Sequence, residues 1–313
     1  MTRTTSNDSL FGTDPSGAAN ILDNADFEIW QRGTSFSSLA NQAYCADRWM
    51  AVYSGTPTFA VTKETTVINT GLAAIKVNVT VAGSGALYLK QSIENYQDFA
   101  GKTVTFSISI NCSVANKIRI RVNDGVTEDF SSYHSGSGNW EILTCTHVVS
   151  SSATNLNVAM GVIGGSDVAT VMAWYADSAM LNVGLQRTSA FIPLHPQVDL
   201  ARCQRYFYIT PGILGSYIVT GQAFATTGAH YTVRYPVPMR ATPTVTIANP
   251  TNFATSASNS ALISLTNLTS AGLGADTNTF VLQSTVASGL VAGNATTLST
   301  NNANAQISFS ADI

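Results

Sequence analysis

Val104-Thr105-Phe106-Ser107-Ile108-Ser109-Ile110 alternates apolar and polar residues without a break, and its reading decides the fold. A β-strand points successive side chains to opposite faces, so a period of two marks a strand with one face in a core. The same period recurs on both sides. Upstream, Thr58-Phe59-Ala60-Val61-Thr62 and Ala74-Ile75-Lys76-Val77-Asn78-Val79 alternate. Downstream, Ile118-Arg119-Ile120-Arg121-Val122 turns Ile118, Ile120 and Val122 inward and leaves Arg119 and Arg121 outside. Asn123-Asp124-Gly125 then predicts a hairpin with a two-residue Asp-Gly turn, because glycine accepts positive φ. Further strands are expected at 139–149, 154–163 and 171–184. Many short strands at this spacing predict an all-β chain opening with a jelly-roll β-sandwich.

The composition agrees. Only 11% of the 313 residues are charged while 45% are hydrophobic. The polar surface must then come from Ser, Thr, Asn, Gln and Gly, which suit strands and turns, whereas helical surfaces recruit Glu, Lys and Ala. At roughly 150 residues per domain, the length predicts two domains. Pro193-Leu194-His195-Pro196 stops any strand. Gln197–Tyr206 reads as the one helix, with Leu200, Cys203 and Phe207 as its apolar stripe. Strands resume at Ser216–Phe224, His230–Tyr235 and Thr242–Ile247, then at 261–267, 278–285 and 305–311. The expected organisation is an N-terminal arm (1–20), a jelly roll (21–195), a connector helix (196–207) and a C-terminal β-sandwich-like domain (208–313). The stretch 241–313 holds no Lys or Arg and only Asp276 and Asp312 as acids. So bare a surface predicts burial against other copies of the chain.

Several function classes are disfavoured. A net charge of −3, from 15 basic and 18 acidic residues, gives no array to neutralise phosphates. No stretch approaches the ~20 apolar residues that span a bilayer. Residues 1–20 lack the apolar centre of a signal peptide, so the chain is expected to be made in the cytoplasm and not exported by the general route. Cys45, Cys112, Cys145 and Cys203 are dispersed and predict free thiols. His134, His147, His195 and His230 form no HExxH, and GxSxG is absent. Gly161-Val162-Ile163-Gly164-Gly165 is too loose for a phosphate loop. The neighbouring acids Glu128/Asp129 and Glu94/Asp98 make no catalytic constellation. The chain reads as non-enzymatic. Among the aromatics, Trp30, Trp49 and Trp174 read as core, while Trp140 divides evenly between core and surface. Tyr133 and Trp140 sit in polar, Gly-rich company that suits stacking on a sugar ring. With the outward Arg119 and Arg121 they make the candidate carbohydrate-binding set.

Three segments carry a resemblance. The first is Asn24-Ala25-Asp26-Phe27-Glu28-Ile29-Trp30-Gln31-Arg32-Gly33, followed by Tyr44-Cys45-Ala46-Asp47-Arg48-Trp49. The second is Asp199-Leu200-Ala201-Arg202-Cys203-Gln204-Arg205-Tyr206-Phe207-Tyr208. The third is Tyr235-Pro236-Val237-Pro238-Met239-Arg240-Ala241-Thr242-Pro243. In this order they resemble bacteriophage tail-fibre and related virion appendage proteins. Asp26-Phe27-Glu28 and Trp174-Tyr175-Ala176-Asp177 also look like the opening and closing strands of carbohydrate-binding jelly-roll modules. The resemblance implies a structural subunit of the virion, a homotrimer docked on other tail or capsid proteins by its N-terminal arm, that recognises host-surface glycan. A head-fibre or decoration protein and a bacterial carbohydrate-binding adhesin are the alternatives. It also implies a structural calcium on Glu28 and Asp177, although the closing strand here has one Asp where such modules often have two.

Overall fold

The computed structural model describes residues 20–37, 39–164, 167–185, 190–256, 262–271 and 274–313. The expected N-terminal arm lies outside them, save Asn20. The chain forms two compact units, one reaching to Cys203 and including Ile313, the other Gln204–Asp312.

In the first unit the strands are β1 (Ser35–Phe36), β2 (Ala43–Tyr44), β3 (Met50–Tyr53), β4 (Thr58–Glu64), β5 (Ala74–Val81) and β6 (Leu87–Ser92). They continue with β7 (Thr103–Cys112), β8 (Arg119–Asn123), β9 (Glu128–Phe130), β10 (Trp140–Val148), β11 (Asn157–Val162) and β12 (Met172–Val183), before helix α1 (Pro196–Gln204). Two six-stranded antiparallel sheets result, ordered β1-β4-β5-β12-β7-β10 and β2-β3-β6-β11-β8-β9. From β5 onward the chain passes repeatedly from one sheet to the other, which is the jelly-roll arrangement. Phe106, Ile108 and Ile110 of β7 share one core with Ile118, just before β8, with Ile120 and Val122 of β8, and with Trp49 and Trp174. Trp30 packs on its margin and donates its indole N–H to the Phe27 carbonyl.

Three expectations are corrected here. The polar face of β7 is not open to water: Ser107 and Ser109 are buried, and Asn69 donates to the Ser109 hydroxyl. Small hydroxyls fit beneath a covering loop where a charged side chain would not. The turn after β8 has four residues, not two, since Asn123 pairs with Glu128. The Asp124 carboxylate organises it by accepting the Val126 and Thr127 amides. Helix α1 is not a free connector with Leu200 on its buried face. It buries Asp199 and Cys203, and its Asp199 accepts the Asn24 amide at 2.9 Å within the first unit.

The second unit comprises β13 (Phe207–Ile209), β14 (Tyr217–Ala225), β15 (Gly228–Arg234), β16 (Thr244–Ile247) and β17 (Phe253–Ser256). These are followed by β18 (Leu262–Ser264), β19 (Asn267–Ser270), β20 (Thr279–Thr285), β21 (Ala295–Thr300) and β22 (Ile307–Ser310). A three-stranded sheet, β13-β22-β16, and a seven-stranded one, β18-β17-β21-β14-β15-β20-β19, enclose a second core. Phe309 stands at its centre, with Tyr208, Tyr235 and Phe280 around it at ring distances of 5.8, 5.1 and 5.8 Å. All four cysteines are free and buried.

Candidate functional site

Strand register assembles a polar, aromatic face on the β2-β3-β6-β11-β8-β9 sheet. The central strand, β11, offers Asn157 at its start and then the small residues Ala159 and Gly161 to it. Across one side Ala159 pairs with Lys90 and Gly161 with Tyr88. Across the other, Ala159 pairs with Arg121 and Gly161 with Arg119. The long side chains on the flanks therefore meet above the small strand. Arg121 places its guanidinium 5.2 Å from the Tyr88 ring centre and pairs with Glu128 at 3.1 Å. Arg119 lies 4.2 Å from the Phe130 ring centre and 4.7 Å from that of Tyr133. Its Nε donates to the Ile163 carbonyl, and Asp167 receives both Arg119, at 3.4 Å, and the Tyr133 hydroxyl, at 2.6 Å. That Asp167 bond raises the Tyr133 phenol above its ordinary pKa. Burial, and then the charge of Arg121, lower that of Lys90. Two buried polar atoms of this face have no hydrogen-bond partner, Arg121 Nε and Asn157 Oδ1.

The structure thus brings together Tyr133, Arg119 and Arg121 of the candidate set and sets Trp140 apart. Trp140 opens β10 on the other sheet, opposite Asn111, and is half-buried. Tyr88, Lys90, Phe130 and Asp167 escape the sequence reading. The alternation of Leu87-Tyr88-Leu89-Lys90 signals that Tyr88 and Lys90 face outward, but only strand pairing places them beside the arginines.

The calcium expectation fell on Glu28 and Asp177, and the Glu28 carbonyl accepts from Lys63 Nζ at 2.8 Å. Asp177 is wholly buried, and its Oδ2 accepts the Asn69 and Thr70 amides, each at 2.9 Å, while Oδ1 accepts from Ser178. Among the described residues, no group of three or more His, Cys, Asp or Glu side chains could hold a metal ion. Asp177 instead fastens a loop over β7.

The residues that carried the resemblance are largely spent on architecture. The Asn24 side chain donates to the Ile29 and Asp47 carbonyls and accepts the Ile29 amide. Asp47 accepts the Gln31 amide and pairs with Arg32 at 3.5 Å. Asp23 receives Arg48 at 3.0 Å on one oxygen and Arg202 at 2.8 Å on the other. Asn24, Phe27 and Arg48 all have positive φ. Backbone of that kind costs on the order of 1–3 kcal/mol per residue, and this bond network holds it in place.

The first unit is therefore an all-β jelly-roll sandwich carrying an Arg/aromatic face, and the second a smaller β-sandwich-like unit. No family model matches the chain, and no curated protein matches it in sequence. Among solved structures it is similar to a cyclase from Fischerella sp. TAU, at 14% identity and TM-score 0.39, over 55% of this chain and 100% of that one. It is similar to the enzymatically active domain of tailspike protein 4 from bacteriophage CBA120, at 12% identity and TM-score 0.37, over 52% of this chain and 21% of that one. A third is the C-terminal family 22 carbohydrate binding module of Clostridium thermocellum Xyn10B, at 17% identity and TM-score 0.31, over 44% of this chain and 85% of that one. At these scores none transfers an activity, ligand or residue role to this chain. The expectation of a non-enzymatic chain is nonetheless corrected. Cyclases stand among the similar structures, so a sandwich of this kind is no ground for excluding catalysis.

Proposed function

We propose that this protein is an appendage subunit of a bacteriophage particle and that the Arg121–Tyr88 face binds host-surface glycan. The observation that carries the glycan reading is the pairing of Arg121 with Tyr88 across Ala159 and Gly161 of β11, which sets a cationic donor beside an aromatic ring on one sheet face. The Tyr88 ring, with the Arg121 guanidinium 5.2 Å from its centre, adds a surface for the apolar face of a pyranose ring. The phage assignment, the place in the virion, the docking on tail or capsid proteins and the copy number of three rest on the three resembling segments. Linked copies would turn a weak single site into firm adsorption through avidity.

The test is titration of the full chain with purified surface polysaccharide of candidate hosts, followed calorimetrically. Arg121→Ala and Tyr88→Ala are each expected to weaken binding by at least tenfold, whereas Trp140→Ala leaves it within twofold. Equal affinity in all three would overturn the assignment of this face. Absence of binding to every polysaccharide would favour a purely structural head-fibre or decoration subunit.

A further inference from the structure

An unpaired sheet edge is a ready template for another strand, and proteins blunt such edges with short strands, charges, proline or bulges. Among the described residues the four sheets end in eight edge strands. Seven of these, β1, β2, β9, β13, β16, β18 and β19, are two to four residues long. The eighth, β10, has nine residues and matches β7 at nine consecutive positions with no bulge. Trp140–Val148 contains no proline, lysine or arginine. Its side chains on the outer sheet face are Trp140, Ile142, Thr144, Thr146 and Val148, all uncharged, with Ile142 58% and Val148 62% exposed. The two ionisable groups on its other face are satisfied within the chain. Glu141 accepts hydrogen bonds from Ser135 and Ser137. His147 lies between Asp129 at 2.7 Å and Asp124 at 3.2 Å. Among the described residues, β10 thus lacks the shortness, proline, lysine or bulge that blunt a sheet edge.

We propose that β10 is a docking edge for a second copy of this chain, the two β10 strands pairing antiparallel about a two-fold axis at Thr144. Charge matching selects this occupant. A neutral edge leaves the charges of a charged strand without partners, while a copy of β10 brings an equally neutral one. The axis at Thr144, the middle of the strand, sets Trp140 opposite Val148 and Ile142 opposite Thr146. Aromatic and β-branched cross-strand pairs of this kind stabilise antiparallel sheets. Glu141 then falls opposite His147, so no acid faces an acid. The contact is isologous and self-limiting, which a two-fold edge pairing requires. This inference is independent of the glycan reading.

A cross-link tests it in the full chain. Directly opposite residues of an antiparallel pair have Cβ atoms about 4.5–5.5 Å apart, so Thr144→Cys should close a disulfide with its copy under mild oxidation. The product is a species of twice 33.0 kDa on a non-reducing gel. The four native cysteines are buried and give little background. Ile142→Cys, facing Thr146 instead of itself, should cross-link at least fivefold less. Thr144→Lys, on an exposed position, should halve the native mass by light scattering while keeping its circular dichroism. No dimer from Thr144→Cys, a stronger cross-link from Ile142→Cys, or an unchanged mass in Thr144→Lys would each overturn the proposal. Were Thr144→Lys to misfold, the cross-linking pair decides alone.

Discussion

At the scale of single residues, the acids around helix α1 set the response to pH. Asp26 is buried, with Oδ1 lacking any hydrogen-bond partner. Burial, then the charges of Asp199 and Glu28, push its carboxyl up to about 7 from 3.8. Burial likewise raises Asp199 to about 6, although the Asn24 amide and Arg202 pull it down. A carboxyl that holds its proton more tightly folded than unfolded stabilises the fold fully below the unfolded value. That contribution is lost as pH rises through 6 and 7. At about 1.4 kcal/mol per pH unit, ionising Asp26 costs the fold at most roughly 4 kcal/mol. Thermal melts should therefore show the first unit losing stability between pH 5 and pH 8, and Asp26→Asn should flatten the fall. A midpoint that rises over this range would refute the reading. The neighbouring Asp23 is paired with both Arg48 and Arg202. Asp23→Ala removes the carboxylate that Arg48 and Arg202 share, and breaking such a buried pair costs about 3–5 kcal/mol. Urea unfolding of Asp23→Ala beside the double variant Asp23→Ala/Arg48→Met should show the double variant less destabilised than the single one.

At the scale of elements, legibility in the sequence followed how much a strand depends on its own side chains. β7, β8 and the outward Arg119 and Arg121 were legible from alternation alone, because each strand presents one apolar face to the core. β21 was not: Ala295-Thr296-Thr297-Leu298-Ser299-Thr300 offers a single large apolar residue, yet it runs inside the seven-stranded sheet. Hydroxyl bonds replace apolar patterning there, with Ser299 donating to the Ala254 carbonyl and Thr297 bonding Ser256. The candidate site was half legible for the same reason. Which residues point outward is local, but Tyr88 joining Arg121 depends on pairing between distant strands. The β8–β9 turn shows what composition alone misses. Gly125 marks the bend, but Asp124 holds it, receiving the amides of Val126, Thr127 and Ser150. Against burial, which raises it, those amides hold the Asp124 carboxyl well below the ordinary range. Asp124→Ala would remove the charged acceptor that three amides share, and at about 0.5–1.5 kcal/mol net for each hydrogen bond the loss should exceed about 2 kcal/mol in urea unfolding. A loss below ~1 kcal/mol would mean the turn is held by its backbone.

At the scale of the whole molecule, two separate cores predict two separate unfolding events. One cluster is built around Trp49, Phe106 and Trp174, the other around Tyr231, Phe253 and Phe309. The two compact units divide at Cys203, within a helix that buries Asp199, a residue that an apolar-stripe reading of the helix passes over. The shifted acids of the first unit titrate between about 6 and 7. The shifted groups of the second lie elsewhere. Burial and the charge of Asp276 raise Tyr235 to about 12, and the Asn278 and Thr279 amides lower Asp276 from 3.8. Differential scanning calorimetry between pH 5 and pH 8 should then resolve two transitions, of which one moves downward with pH and the other stays within about a degree. Asp26→Asn should reduce the movement of that transition, with Asp199 left to titrate, and leave its companion untouched. A single transition, or two that shift together, would mean that the two cores unfold as one cooperative unit despite their separate packing.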